Sequence, residues 1–304
     1  MTDPRDLEDF LQHIGPRWAT DVANNVKKVI AMYGPLLEAA PKDGVHVTCD
    51  IAYGPHPRQQ LDVFAPESGA GRAVVLFVHG GAFTDGERNR SAEVYANILY
   101  YLARRGIVGV NMEYRQAPES PYPGGAEDVA LASGWIGQNI QQHGGSAKRL
   151  FLMGHSAGAA HAGAFAYEAA WQDHPERPAG LIVVSGRVRA DNLAENPNAR
   201  KVEAYYGTDP AALEAHSVVA HVSKDSVPTF IAYAEYENPL LDIYCLELAY
   251  RLAVAQRKAP PVLRLARHNH TSIIAHMNTG EDLLGREIVR FIADHADPLG
   301  IDQP

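Results

Sequence analysis

The sequence of 304 residues predicts an α/β fold, in which a mostly parallel sheet of about eight strands carries helices on both faces. Two observations support this prediction. From residue 73 onward, short apolar runs alternate with helix-length segments, as in chains whose parallel strands are connected by helices. The run at residues 73–78 is also apolar at almost every position, as expected of a strand covered on both faces.

The N-terminal segment, residues 1–44, differs from the rest because it contains only helical patterns. Apolar side chains recur at helical spacing up to Gly15-Pro16, and a second such pattern is predicted to end at Gly34-Pro35. We expect this segment either to cover the sheet or to form a lid over a site. Residues 45–53 and 60–65 then predict an antiparallel pair of strands at the edge of the sheet.

The remaining elements follow in order. Strands are predicted at residues 73–78, 107–112, 150–153, 181–184, 230–233 and 262–265, and helices at 91–105, 125–142, 157–171, 239–257 and 281–295. Residues 187–227 interrupt this alternation and are long enough to form a small cap insertion. We interpret the whole chain, residues 1–304, as one domain with an N-terminal helical segment and this insertion.

Composition and charge exclude some classes of function. The net charge is −9, whereas nucleic-acid binding requires a basic face, so no nucleic-acid partner is expected. No apolar run reaches membrane-spanning length, and the acidic N-terminus has no apolar core of the signal-peptide type. We therefore predict a cytoplasmic protein without a membrane partner; the sequence leaves a homodimer open.

The sequence Gly-His-Ser-Ala-Gly at residues 154–158 follows a predicted strand and precedes a run of small residues that predicts a helix. A serine at the apex of a sharp strand-to-helix turn is the nucleophile elbow, and its strained backbone requires small neighbours on both sides. The positive end of the following helix favours developing negative charge. Ser156 is therefore the candidate nucleophile.

A second glycine-rich turn, His-Gly-Gly-Ala-Phe at residues 79–83, comes directly after the strand at 73–78. Glycines at a strand end let backbone N–H groups converge on one point, which is what an oxyanion hole needs. We predict that Gly81 and Ala82 provide two of these donors and that Ala157 provides the third. His79 is predicted to orient the loop by hydrogen bonding rather than to act as a base.

The candidate base and acid lie at the ends of the last two strands. His270 is our choice of general base and His268 the alternative; the two could instead hold a metal ion, although no third ligand cluster is evident. A base after the last strand fits the order serine, acid, histidine. Glu237 is favoured as the acid over Glu235, while Asp242 is expected to cap a helix or face solvent.

Together these motifs resemble the α/β-hydrolase superfamily over roughly residues 60–295. More narrowly, the chain is similar to esterases of the hormone-sensitive-lipase type and to their carboxylesterase and arylformamidase-like relatives. The matching stretches are residues 79–83, residues 154–158, the segment 113–119 with Tyr-Pro at 122–123, and Asp128.

The sequence departs from the family pattern at two positions. Ala82 replaces the third glycine of the loop, which the fold tolerates if the φ of Ala82 stays negative. Glu237 stands where the family usually has aspartate. The Asn-His-Thr-Ser segment resembles the sequence around the family's catalytic histidine and supports His270.

The resemblance implies a serine hydrolase that cleaves a carboxylic ester of a small acyl group through an acyl-enzyme, with no metal or cofactor. An amidase such as an arylformamidase has the same triad, and a catalytically inactive ligand-binding protein is the alternative from another class. Aromatic residues near the site are predicted to line the substrate pocket: Phe83, Tyr114, Tyr205 and Tyr206.

Overall fold

Eight strands form one sheet in the computed structural model of the chain, which describes residues 4–296; the predicted domain range of 1–304 extends beyond these residues at both ends. The strands are β1 (Val45–Ala52), β2 (Gln60–Pro66), β3 (Arg72–Val78), β4 (Val108–Met112), β5 (Gly145–His155), β6 (Gly180–Val184), β7 (Thr229–Tyr236) and β8 (Val262–Asn269). The helices are α1 (Pro4–Ile14), α2 (Val22–Glu38), α3 (Ala96–Ala103), α4 (Gly124–Asn139), α5 (Ala157–Tyr167), α6 (Ala199–Tyr206), α7 (Pro210–Ala215), α8 (Leu241–Gln256), α9 (Ser272–Ala275) and α10 (Leu283–His295).

The strand order is β1-β2-β4-β3-β5-β6-β7-β8. Strand β2 is antiparallel to both β1 and β4, and all the other neighbours are parallel. The predicted sheet of about eight mostly parallel strands is confirmed, as is the antiparallel pair at its edge. In such sheets the functional residues collect where the parallel strands end, at their carboxyl ends.

Both faces of the sheet are covered by apolar packing. In β3, Val74, Leu76 and Val78 belong to one core cluster together with residues of α4, α5 and α8, while Val75 and Phe77 belong to the other. This second cluster includes residues of α1, α2, α3 and α10. Burial on both faces explains why the central strands are apolar throughout rather than alternating.

The N-terminal helices pack against the second of these clusters through the buried side chains of Leu11, Trp18 and Tyr33. The prediction that the second helix ends at Gly34-Pro35 is wrong, because α2 continues to Glu38. Proline lacks the N–H that would bond to the preceding turn, but only one turn of helix follows it. That turn is held by Leu37, which is fully buried.

The helix predicted at residues 91–105 is also shorter in the structure, where α3 begins at Ala96. The Ser91 side chain accepts hydrogen bonds from the backbone N–H groups of Glu93 and Val94, and the Ser91 N–H donates to the Val94 carbonyl. Serine side chains compete in this way with helical hydrogen bonds, which explains the irregular segment before α3.

The insertion at residues 187–227 contains the short helices α6 and α7 and a 3-10 turn at Val218–His221. A buried ion pair joins Arg187 to Asp191 at 2.9 Å at the start of the insertion. Within residues 4–296, no helix combines the length and the apolar composition needed to cross a membrane.

Candidate active site

Ser156 lies at the junction of β5 and α5, with φ of 55° and ψ of −121°. This conformation is strained for any residue with a side chain, and the surrounding hydrogen bonds hold it in place. The Ser156 N–H donates to the Val184 carbonyl at 3.1 Å, and the Ser156 carbonyl accepts from Ala159 and Arg187. The serine therefore lies on a fixed, sharp turn at the carboxyl end of a central strand.

The two glycines of the Gly-His-Ser-Ala-Gly motif are required by close packing. A Cβ atom at Gly154 would lie 2.4 Å from the Ala159 Cα, and one at Gly158 would lie 2.1 Å from the Val78 carbonyl oxygen. Both contacts are with backbone atoms, which have little freedom to move. The turn can therefore form only if both positions lack side chains.

The loop after β3 lies directly beside this turn, since a Cβ at Gly80 would be 3.0 Å from the Ser156 Cβ. His79 orients the loop: its Nδ1 lies 2.8 Å from the Gly80 carbonyl oxygen and its Nε2 lies 2.7 Å from the Glu113 carboxylate. Burial tends to raise the pKa of Glu113, but the hydrogen bond from His79 and the charge of Arg58 hold it below the ordinary value.

The expectation that Ala82 keeps a negative φ is wrong: its φ is 51°, and those of Gly81 and Phe83 are 152° and 73°. The loop closes into a tight left-handed turn in which the Asp85 N–H donates to the Gly81 carbonyl at 3.0 Å. A positive φ costs a residue with a side chain roughly 1–2 kcal/mol. The fully buried Phe83 ring offsets part of this cost.

His270 and Glu237 are hydrogen-bonded to each other at the ends of β8 and β7. The His270 Nδ1 donates to the Glu237 Oε2 at 2.7 Å, and both side chains are almost completely buried. The other carboxylate oxygen of Glu237 accepts from the Ala234 N–H at 2.8 Å and from the Ser185 hydroxyl. With its proton on Nδ1, neutral His270 has an unprotonated Nε2, as a general base requires.

The alternative residues have other partners. The Glu235 carboxylate pairs with Arg264 at 3.1 Å and accepts from the Arg267 N–H. The His268 Nε2 bonds to Glu281 at 3.1 Å, and this hydrogen bond lowers the pKa of Glu281 to about 2.

Asp242 lies in the first turn of α8 and is half-buried. His268 and His270 bond to different carboxylates, Glu281 and Glu237 respectively. In the described part of the chain, no three His, Cys, Asp or Glu side chains are grouped to hold a metal ion.

A cavity of about 880 Å³ opens beside Ser156 and His270 and is also lined by Gly81 and Ala82. The lining is mixed. Helix α2 contributes apolar side chains at helical spacing: Val22, Val26 and Ile30. Charged residues also line the cavity, among them Asp85, Arg90 and Lys201. The sequence left open that the N-terminal segment lies over a site, but it did not identify these α2 side chains as residues that line a pocket.

The four aromatic residues predicted to line the pocket lie elsewhere: Phe83, Tyr114, Tyr205 and Tyr206 are all buried, and none lines this cavity. That prediction is wrong. Phe83 stacks on Tyr205 with ring centroids 4.8 Å apart, and the Tyr114 hydroxyl donates to the His79 carbonyl at 2.9 Å. Helix α6 brings Tyr205 and Tyr206 against Phe83. These aromatic rings therefore pack in the hydrophobic core beneath the loop and do not line the cavity.

A family model described as the α/β-hydrolase fold matches residues 75–238, more than half of the chain. The chain belongs to the α/β-hydrolase family. The match includes both glycine-rich turns and ends just after Glu237, and it confirms the fold and the family that the motifs predicted.

Two relatives of this chain carry esterase names. It is 36% identical over 111 residues to a probable isoprenylcysteine α-carbonyl methylesterase of Arabidopsis thaliana, which covers 36% of this chain and 25% of that one. It is 27% identical over 216 residues to esterase LipQ of Mycobacterium tuberculosis, covering 64% and 49% of the two chains. The chain thus spans between a quarter and a half of the length of these curated relatives.

Solved structures show the same fold over nearly the whole chain. Esterase B from Lactobacillus rhamnosis, inhibited by a tributyrin phosphonate, superposes with a TM-score of 0.74 at 18% identity and covers 97% of each chain. An esterase from Pyrobaculum calidifontis gives a TM-score of 0.69 at 20% identity, with 97% of this chain and 98% of that one covered.

Proposed function

We propose that this hydrolase is a serine esterase that cleaves carboxylic esters of small acyl groups. The observation that carries the proposal is the 2.7 Å hydrogen bond from His270 to Glu237, in a cavity that Ser156 also lines. A carboxylate on Nδ1 sets the tautomer of the imidazole and stabilises the imidazolium that forms during catalysis.

In the proposed mechanism, the Ser156 hydroxyl attacks the ester carbonyl while the His270 Nε2 takes its proton. The N–H groups of Gly81, Ala82 and Ala157 donate to the oxyanion; the Ala157 N–H belongs to the first turn of α5, where backbone donors lack helical partners. His270 then protonates the alcohol as it leaves. Water hydrolyses the acyl-enzyme with His270 acting first as base and then as acid.

The relatives support this assignment at the level of the reaction class. The plant relative is named a probable methylesterase and the mycobacterial one an esterase, so ester hydrolysis is the activity that their names share. An elbow beside a glycine-rich loop after the third strand is the arrangement of α/β-hydrolases that form acyl-enzymes.

We also propose that the N-terminal segment is part of the substrate site in a single domain, with the insertion at 187–227 as a small cap. Residues of α2 line the cavity, and the Trp18 Nε1 donates to the Asn238 side chain at 2.8 Å, next to Glu237. Removal of residues 1–44 is expected to abolish turnover as well as expose the apolar face of the sheet.

The proposal is tested with purified wild type and the Ser156→Ala variant on a panel of p-nitrophenyl esters and N-formyl arylamides. We expect turnover of short-chain esters by the wild type and a loss of about 10⁴-fold or more in the variant. Labelling by a fluorophosphonate should occur only in the wild type. Turnover of the arylamides alone would favour an amidase, and equal ester turnover by both proteins would refute Ser156 as the nucleophile.

A further inference from the structure

His155, the residue before the nucleophile, has a hydrogen-bonding role that the triad does not use. Its ring is buried, and its Nε2 lies 2.9 Å from the backbone carbonyl oxygen of His270, 115 residues further along the chain. Its Nδ1 lies 3.4 Å from the Tyr95 hydroxyl. The ring therefore joins the nucleophile elbow directly to the turn that carries the base.

These partners determine the protonation of the ring. A carbonyl oxygen only accepts, so Nε2 carries the proton, and Nδ1 then accepts from the Tyr95 hydroxyl. Burial, together with the neighbouring His270, keeps the pKa of His155 well below its ordinary value. His155 is therefore neutral, and because its Nε2 is a donor it does not act as a second base.

His155 also contacts the third part of the site. A Cβ atom at Gly80 would lie 3.1 Å from the His155 Nδ1, so the ring packs against the backbone of the oxyanion loop. The His155 and His270 rings are 4.8 Å apart between centroids. One side chain thus touches the elbow, the oxyanion loop and the turn of the base.

The backbone of His270 is held at both of its polar groups. Its N–H donates to the Tyr236 carbonyl at 3.1 Å, and its carbonyl accepts from His155. The first bond ties His270 to β7, which leads into the loop of Glu237, whereas the second ties it to the strand that carries Ser156. The bond from His155 therefore connects the turn of the base directly to the nucleophile elbow.

We infer that His155 is a positioning residue, whose Nε2–H fixes the turn of His270 relative to Ser156. The inference rests on the proposed esterase function. Misplacing a base by about 1 Å can cost on the order of 10²-fold in rate. A donor that reaches the His270 carbonyl should therefore preserve kcat, and loss of that donor should lower kcat more than it changes KM.

The test compares His155→Gln with His155→Asn, two amides that differ by one methylene. The glutamine Nε2–H can occupy the position of the histidine Nε2–H, while the asparagine amide is too short to reach the His270 carbonyl. With p-nitrophenyl acetate we expect kcat within about 5-fold of wild type for glutamine and a loss of about 10- to 100-fold for asparagine. KM should stay within about 3-fold in both variants.

The rate of fluorophosphonate labelling of Ser156 should fall in parallel with kcat, with thermal unfolding measured to confirm that both variants are folded. Equal kcat values for the two variants would overturn the inference, as would a loss seen only in KM. If His155→Asn does not fold, His155→Leu takes its place as the donor-free form; if His155→Gln does not fold, the wild type serves as the donor-bearing reference. This result can be told apart from a failure of the proposed esterase function. If Ser156→Ala is inactive but His155→Asn is fully active, the proposed nucleophile stands and only the positioning role of His155 is refuted.

Discussion

The nucleophile elbow and the N-terminal wall of the cavity face the same space but are built differently. At the elbow, glycines are required because any Cβ would lie within 2.5 Å of backbone atoms. The wall instead consists of partly buried apolar side chains of α2, among them Val22, Val26 and Ile30. Close backbone contacts leave no room for a side chain at the elbow glycines, whereas the wall tolerates changes of side-chain size. We therefore expect the elbow to determine the reaction and the wall to determine which esters fit.

The largest effect is expected from Glu237→Gln, which tests the proposed triad of Ser156, His270 and Glu237. The amide cannot hold the His270 imidazolium as the carboxylate does, so kcat should fall by about 10³- to 10⁴-fold. Steady-state kinetics with p-nitrophenyl acetate measure the loss. Glu235→Gln is the matched control, since Glu235 pairs with Arg264 and not with His270, and it should change kcat less than about 3-fold. A larger loss at Glu235 than at Glu237 would reverse the assignment of the acid.

Gly158→Ala should break the elbow itself. The new Cβ would lie 2.1 Å from the Val78 carbonyl oxygen, and overpacking against backbone costs about 3 kcal/mol of unfolding free energy or more. Urea unfolding measures the change. Gly134→Ala is the control, because nothing lies within 4 Å of its Cβ position in helix α4, and it should stabilise by about 0.5–1 kcal/mol. Similar unfolding curves for both variants would show that the elbow is less constrained than its contacts indicate.

A smaller and selective effect is expected from the wall. Val26→Phe adds bulk to the cavity, so kcat/KM should fall about 10-fold or more for p-nitrophenyl octanoate relative to the acetate. Val254→Phe, on the exposed face of α8, is the matched control and should leave the ratio unchanged. An equal loss of kcat/KM for all acyl chain lengths would mean that this wall supports the proposed triad and does not select among substrates.

A last effect, on stability rather than on rate, concerns the aromatic layer beneath the oxyanion loop, where the buried His161 ring packs against Phe83 and Tyr205. Burial lowers the pKa of His161 to about 3, so between that value and about 6.5 the unfolded chain binds a proton that the folded chain does not. The contribution of neutral His161 to the free energy of unfolding is therefore fully present above about pH 6.5. It decreases as the pH falls below that value, by about 1.4 kcal/mol per pH unit. His161→Phe should lose less stability than wild type between pH 7 and pH 5 in urea unfolding. Parallel losses would contradict the assignment of acid sensitivity to His161.

Local sequence determined most of the scaffold and the candidate nucleophile. Apolar runs and helical periodicity located the strands, because burial on both faces of a sheet leaves no room for polar residues. Ser156 could be selected because its strained turn requires neighbouring glycines, and these requirements lie within five consecutive residues. Each of these signals can be recognised within a short stretch of sequence, even where the packing that requires it involves a distant residue, as between Gly158 and Val78.

Only the tertiary structure decided the features that depend on distant segments. Glu237 rather than Glu235 contacts His270 because of how β7 and β8 end beside each other. The predicted pocket aromatics became core because α6, more than 100 residues after Phe83, packs its tyrosines beneath the loop. The cavity wall comes from α2, whose apolar stripe could as well have been buried against the sheet. These contacts depend on which distant surfaces pack together in the folded chain. The local spacing of apolar residues does not specify that packing.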